Sequence, residues 1–105
     1  MKKQTKQKNG NGHVSQRIRI EFIHPTAGAI AIAGTFNDWR PDVAQMIPLG
    51  EGRWLKELSL PPGVYEYRLV VDGAWMPDPR VSETAPNPFG GVNSVLRVNN
   101  GDKLR

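Results

Sequence analysis

The chain of 105 residues contains no cysteine and only two histidines, His13 and His24. The absence of cysteine excludes disulfide bonds, thiolate nucleophiles and zinc–thiolate sites. Two histidines leave little material for a catalytic triad or a histidine metal site. The sequence also lacks any apolar run long enough to span a membrane as a helix. These absences favour a small globular protein of a reducing compartment, and we expect it to be cytoplasmic.

The net charge of +4 comes from one end of the chain. Residues 1–13 contain four lysines and no acidic residue, whereas the remainder balances 10 basic against 10 acidic side chains. A neutral body lacks the positive face that nucleic-acid binding requires. We interpret residues 1–13 as a disordered basic tail and residues 14–105 as one domain. The tail either solubilises the protein or makes weak contacts to polyanions.

Short apolar runs and residues alternating with period two predict strands along most of the domain. The predicted strands are Arg17–Ile23, Ala29–Ala33, Arg53–Leu60, Val64–Asp72, Ala74–Met76 and Asn93–Val98. No window shows a helical period, and the segment 41–49, bounded by prolines, is the only candidate for a helical turn. About seven short strands separated by turns indicate an all-β fold, an antiparallel β-sandwich. An open five-stranded barrel is the alternative.

The dipeptide Asp72-Gly73 predicts a two-residue hairpin turn, which fixes the register of the strands on either side. Val70 then lies opposite Trp75, and directly opposed residues point to the same face of a sheet. Trp75 therefore shares the polar face with Arg68, while the tyrosines of the strand point to the core. Either the indole packs against the arginine stem or the two side chains serve binding.

The other aromatic residues occupy contrasting contexts. Trp54 shares a strand face with Leu60, which predicts a core position. Trp39 and Phe89 lie in loops, where an apolar side chain either covers one end of the sandwich or binds a ligand. Asn93 lies near Phe89 and also fits a turn residue. Exposed aromatic faces stack on sugar rings or on nucleobases, and the neutral body disfavours the second ligand.

The acidic residues give no sign of an active site. Glycoside hydrolysis needs two carboxylates that flank a cleft. Asp38, Asp42, Asp72 and Asp78 all lie in turn contexts with no indicated pairing. We therefore expect a protein that is not an enzyme and that uses no cofactor or metal.

Four motifs occur in a specific order and at specific spacings between about residues 14 and 99. They are the segments 33–39 (AGTFNDW), 52–54 (GRW), 60–79 (LPPGVYEYRLVVDGAWMPDP) and 89–95 (FGGVNSV). This series resembles carbohydrate-binding module family 48. The resemblance is closest to the glycogen-binding domain of the AMP-activated protein kinase beta subunit, and isoamylase N-terminal domains are also similar.

The resemblance implies an immunoglobulin-like, early-set β-sandwich that binds α-1,4-linked glucans without catalysis. It implies that Trp39 and Trp75 stack on glucose rings and that Asn93 hydrogen-bonds sugar hydroxyls. Arg68 stands where this branch has a contacting lysine, and Phe89 stands where it has a leucine that projects into a cyclic glucan.

The partners implied by the resemblance are glycogen, starch or a maltooligosaccharide, with a separate glycogen-metabolism enzyme as a further possible partner. We expect neither a nucleic acid nor a membrane as partner. The alternative is a structural or docking domain whose sugar site has lapsed, as in isoamylase-type relatives. Retention of both site tryptophans favours the binding module.

Overall fold

The computed structural model describes residues 14–99 of the chain. This part contains eight β-strands and one turn of 3-10 helix, Pro41–Val43. The predicted basic tail, residues 1–13, lies outside the described residues. In chain order the strands are β1 (Gln16–Ile23), β2 (Ile30–Gly34), β3 (Ile47–Gly50), β4 (Arg53–Leu60), β5 (Gly63–Val71), β6 (Ala74–Met76), β7 (Thr84–Asn87) and β8 (Gly91–Val98).

The strands form two antiparallel sheets. The smaller sheet has the order β1-β4-β3, and the larger has the order β2-β5-β8-β7 with β6 also paired to β5. Tyr67 of β5 pairs with Gly34 on one side and Ser94 on the other, whereas Leu69 pairs with Ile32 and Met76. Strands β8 and β6 therefore follow one another along the same edge of β5.

The core lies between the inner faces of the two sheets, as in other β-sandwiches. Phe22 and Trp54 enter it from the smaller sheet, and Ile32, Tyr67 and Leu69 enter it from the larger. The prediction of an antiparallel, immunoglobulin-like sandwich is confirmed, and the barrel alternative is wrong because the strands divide into two sheets. The predicted core position of Trp54 is also confirmed, since this side chain is 7% exposed.

Two of the eight described strands were not predicted from the sequence. The segment 41–49 contains the expected helical turn, but its second half forms β3 instead of further helix. Strand β7 was not predicted at all. Each of these strands carries a proline, Pro48 or Pro86, and each lies at the edge of its sheet, where a missing backbone donor is tolerated.

A buried polar cluster fastens the segment after β6 to the core. The Tyr67 hydroxyl donates to Asp78 Oδ2 at 2.6 Å, and the Asp78 amide donates to Ser94 Oγ at 2.7 Å. Asp78 Oδ1 also accepts a hydrogen bond from the Arg80 amide at 3.0 Å. Burial and the neighbouring Asp78 carboxylate raise the pKa of Tyr67 far above its ordinary value. Tyr67 therefore stays protonated and can donate its hydrogen bond to Asp78.

Candidate functional site

A cavity of about 240 Å³ opens on the outer face of the larger sheet. It brings together all five residues that the sequence singled out, although they come from four separate segments of the chain. Asn87 and Pro88 also line it and were missed. The lining residues are Trp39, Arg68, Trp75, Asn87, Pro88, Phe89 and Asn93. The cavity is thus mainly aromatic, with one cation and two amides.

The β5–β6 hairpin positions Trp75. Asp72 and Gly73 have φ angles of 49° and 86°, which are the left-handed values that a two-residue hairpin turn needs. The Asp72 carboxylate also accepts hydrogen bonds from the amides of Gly28 and Ala29 at 3.0 and 2.9 Å. The predicted register is confirmed, because Val70 pairs with Trp75. As a result the indole lies on the outer face and is 42% exposed.

The loop after β2 positions Trp39. Asn37 closes this loop, since its Oδ1 accepts from the Gly34 amide at 3.0 Å and its Nδ2 donates to the Ile32 carbonyl at 3.1 Å. The Trp39 amide donates to the Gly34 carbonyl at 2.9 Å. Asp38 and Trp39 both have positive φ, 55° and 59°, which is uncommon for a bulky side chain. The backbone of Trp39 is therefore strained, and the loop holds its indole half-buried.

The start of this loop lies close against β5. A Cβ added at Gly34 would come within 2.5 Å of the Glu66 carbonyl oxygen and 2.8 Å of the Tyr67 Cβ. Residues with side chains do not tolerate such distances, so glycine is required for this close approach. The approach brings the Trp39 loop beside the outer face of β5, where Arg68 lies.

Asn93 lies at the floor of the cavity and is 5% exposed. Its Nδ2 donates to Glu66 Oε1 at 2.9 Å, and its Oδ1 accepts from Asn87 Nδ2 at 3.3 Å. Asn87 Oδ1 in turn accepts from the Phe89 amide at 2.7 Å. One amide hydrogen and one acceptor site of Asn93 remain beyond these bonds. The same network holds the loop from which Phe89 projects, 93% exposed.

Arg68 supplies the positive charge of the cavity. A Cβ at Gly91 would lie 3.7 Å from Arg68 Nη2, so the guanidinium lies beside the start of β8. No ion pair among the described residues involves Arg68, and its covered Nε has no hydrogen-bond partner there. A covered donor without an acceptor costs about 1–3 kcal/mol. An acceptor bound in the cavity would relieve this cost if the side chain turned toward it.

Other kinds of site find little support in the described part of the chain. No cluster of three or more metal-ligating side chains occurs between residues 14 and 99. No helix in the same range is long and apolar enough to cross a membrane. The cavity is lined by no carboxylate, whereas Asp72 and Asp78 are engaged by backbone amides elsewhere. The aromatic cavity is therefore the candidate site.

Comparison with known proteins identifies several relatives. The beta-2 subunit of 5'-AMP-activated protein kinase from Homo sapiens is 31% identical over 92 residues, covering 84% of this chain and 32% of the subunit. The beta-1 subunit from Sus scrofa is 28% identical, covering 84% of this chain and 70% of that sequence. An amyloplastic phosphoglucan phosphatase from Castanea sativa is 26% identical over 81 residues, covering 77% of this chain.

The chain spans only about a fifth to a third of the phosphatase and the beta-2 subunit, 22% and 32%. A family model described as the glycogen recognition site of AMP-activated protein kinase matches residues 4–104, which is nearly the whole chain. The chain therefore belongs to this family of non-catalytic carbohydrate-binding modules.

Proposed function

We propose that residues 14–105 form one non-catalytic module that binds α-1,4-linked glucans by stacking glucose rings on Trp39 and Trp75. The observation that carries the proposal is the cavity in which both indoles and Phe89 surround one space. A pyranose ring has apolar C–H faces and a rim of hydroxyls. Indole faces bury the former, while polar groups at the cavity floor pair with the latter.

The polar residues of the cavity suit a neutral, hydroxyl-rich ligand. Arg68 offers several donors from one planar group, and Asn93 offers a donor and an acceptor. Because Asn93 is held by Glu66 and Asn87, its amide is oriented before a ligand arrives, which reduces the entropy lost on binding. Phe89 extends the apolar surface at the open side of the cavity.

The affinity is expected to be weak, on the order of micromolar to millimolar. The contact surface is small, and sugar hydroxyls exchange hydrogen bonds with water for hydrogen bonds with protein. A module of this kind acts by bringing an attached or associated enzyme to its polymer. The relatives are a kinase subunit and a phosphoglucan phosphatase, so we propose a catalytic partner that acts in glucan metabolism.

Affinity electrophoresis in gels containing glycogen or amylopectin tests the proposal. The native protein should be retarded, and Trp75→Ala should abolish the retardation while costing much less stability than truncation of a core residue, because the indole is 42% exposed. Ile47→Ala is the matched control, because Ile47 is also exposed, at 58%, but lies on the other sheet. It should migrate like the native protein.

Two results would contradict the proposal. Native protein that migrates identically with and without glucan would indicate a docking domain with a lapsed sugar site. Binding that weakens steeply with added salt would indicate a polyanionic ligand, since stacking on a neutral glucan responds little to ionic strength.

A further inference from the structure

A second cavity, of about 250 Å³, lies on the same outer face of the larger sheet. Its floor comes from β2 and β5, its wall from the 3-10 turn and the residues after it, and its end from the β5–β6 hairpin turn. Its lining includes Ala31, Pro41, Asp42, Gln45, Val70 and Gly73. None of them lines the first cavity.

The register of the strands joins the two cavities. Trp75, which lines the first, pairs with Val70, which lines the second, and Val70 pairs with Ala31 on its other side. Paired residues point to the same face, so Trp75, Val70 and Ala31 form one row across three neighbouring strands. With strands spaced about 4.8 Å apart, this row is about 10 Å long. A chain bound at Trp75 is therefore adjacent to the second cavity.

The β2 side chains between the two cavities are small. Arg68 pairs with Ala33, and Val70 pairs with Ala31, so β2 presents only alanines to this face beside the two β5 residues. Val70 is buried although it belongs to the polar face of β5. No bulky side chain of β2 therefore separates the aromatic cavity from the second cavity on this face.

The rim of the second cavity carries groups that can form hydrogen bonds with hydroxyls, and it has little net charge. Gln45 is exposed, and its backbone bridges to Ala31. The Asp42 carboxylate pairs with Arg40 at 3.2 Å, with both side chains exposed, at 66% and 62%. An apolar floor with an amide and a paired carboxylate at its rim suits neutral hydroxyls.

We infer that the second cavity is a further subsite for the same glucan, occupied by glucosyl units that continue past Trp75. This inference rests on the proposed function, because the first cavity must bind the chain for the second to extend it. The consequence is a preference for chain length. Short oligosaccharides fill only the aromatic cavity, whereas longer linear glucans also contact Ala31, Val70 and Gln45.

Isothermal titration with maltotriose, maltoheptaose and a long linear amylose fragment tests this subsite. A longer chain offers more overlapping registers to a single site, so a rise in affinity with length does not by itself support the inference. The decisive quantity is the ratio of the dissociation constants for short and long glucans, compared between native and altered protein.

Ala31→Phe should fill the second cavity and lower that ratio by about tenfold, while the affinity for maltotriose stays at the native value. Gln45→Ala should lower the ratio in the same direction by a smaller factor, and it removes side-chain atoms only, so it also serves if Ala31→Phe fails to fold. Ser59→Phe is the matched control: Ser59 is exposed on the other sheet, and its ratio should equal the native one.

The outcomes separate this inference from the proposed function. If both variants keep the native ratio while maltotriose still binds, the second subsite is refuted and the aromatic site stands. If the native protein binds no glucan of any length, the proposed function fails and the subsite fails with it. A loss of maltotriose binding in folded Gln45→Ala would also refute the subsite, because the side chain would then act in the first cavity.

Discussion

The inner and outer faces of the larger sheet are built from alternate residues of the same strands, yet they differ in how they are stabilised. On the inner face, Tyr67 and Leu69 are 1% and 0% exposed and pack against the smaller sheet. On the outer face, Arg68 and Trp75 line a cavity that is open to solvent. Trp54 and Trp75 show the contrast within one residue type, at 7% and 42% exposure.

The difference shows what covers each face. A second sheet removes most of the inner side-chain surface from water, so the buried apolar area stabilises the fold. The outer side chains are positioned by a hairpin turn, a strained loop and an amide network, all of which leave aromatic surface in contact with solvent. Substitutions on the inner face should therefore reduce stability, and substitutions on the outer face should reduce binding.

Trp54→Ala should give the largest effect on stability. The indole is buried between the sheets, and its Nε1 donates to the His24 carbonyl at 3.1 Å, so truncation leaves both a cavity and an unpaired acceptor. We expect the free energy of unfolding to fall by about 3–5 kcal/mol. Urea unfolding monitored by circular dichroism measures the change. The folded fraction should still be retarded by glycogen, and loss of binding in fully folded protein would contradict the separation of the two faces.

Tyr67→Phe should have a smaller effect that depends on pH. Near neutral pH it leaves Asp78 Oδ2 without its hydroxyl donor, which should cost about 1–3 kcal/mol. The pKa of Tyr67 in the folded state is raised, first by burial and then by Asp78, above the ordinary tyrosine value of about 10. The unfolded chain therefore loses this proton first, and the stability that is fully present below that value declines as the pH rises above it.

Unfolding free energies measured in urea at neutral and alkaline pH test this expectation. Native protein should lose stability above the ordinary tyrosine pKa more steeply than Tyr67→Phe, so the two should converge. The Glu83–Arg97 pair is the control: the pKa of Glu83 is lowered by its hydrogen bonds with Arg97, but both groups are exposed. Glu83→Gln should match native protein in this pH range. If the unfolding free energy of Tyr67→Phe fell with alkaline pH as steeply as that of native protein, the titrating group would not be Tyr67.

Local rules were sufficient for part of the site. Asp72-Gly73 permits a two-residue turn, and that turn alone determines that Trp75 lies opposite Val70 on the outer face. The pairing of Asn93 with Glu66 joins residues 27 positions apart, and no periodicity indicates it. Asn87 and Pro88 were missed for a related reason, since β7 is a short edge strand whose proline weakens the strand pattern.

The conformation of Trp39 was equally hidden in the sequence. Positive φ is normally indicated by glycine or asparagine, whereas here Asp38 and Trp39 adopt it because Asn37 ties the loop to Gly34 and Ile32. The placement of Trp39 in a surface loop followed from its position after a strand. The backbone strain at Trp39 depends on hydrogen bonds that only the folded chain makes.

This strain gives the smallest effect that still distinguishes the two faces. Glycine usually lowers stability relative to alanine by roughly 0.5–1 kcal/mol, because the unfolded chain gains freedom. At position 39, where φ is 59°, alanine retains the strain and glycine removes it. Trp39→Gly should therefore be more stable than Trp39→Ala, by about 1 kcal/mol. Thermal unfolding of the two variants side by side measures the difference, and both should lose glycogen retardation.

The same pair of substitutions at Trp54, where the backbone is an ordinary strand, should show the usual order, with alanine more stable. If alanine were also the more stable residue at position 39, the loop would carry no strain, and the outer face would hold its indole by packing alone, as the inner face does.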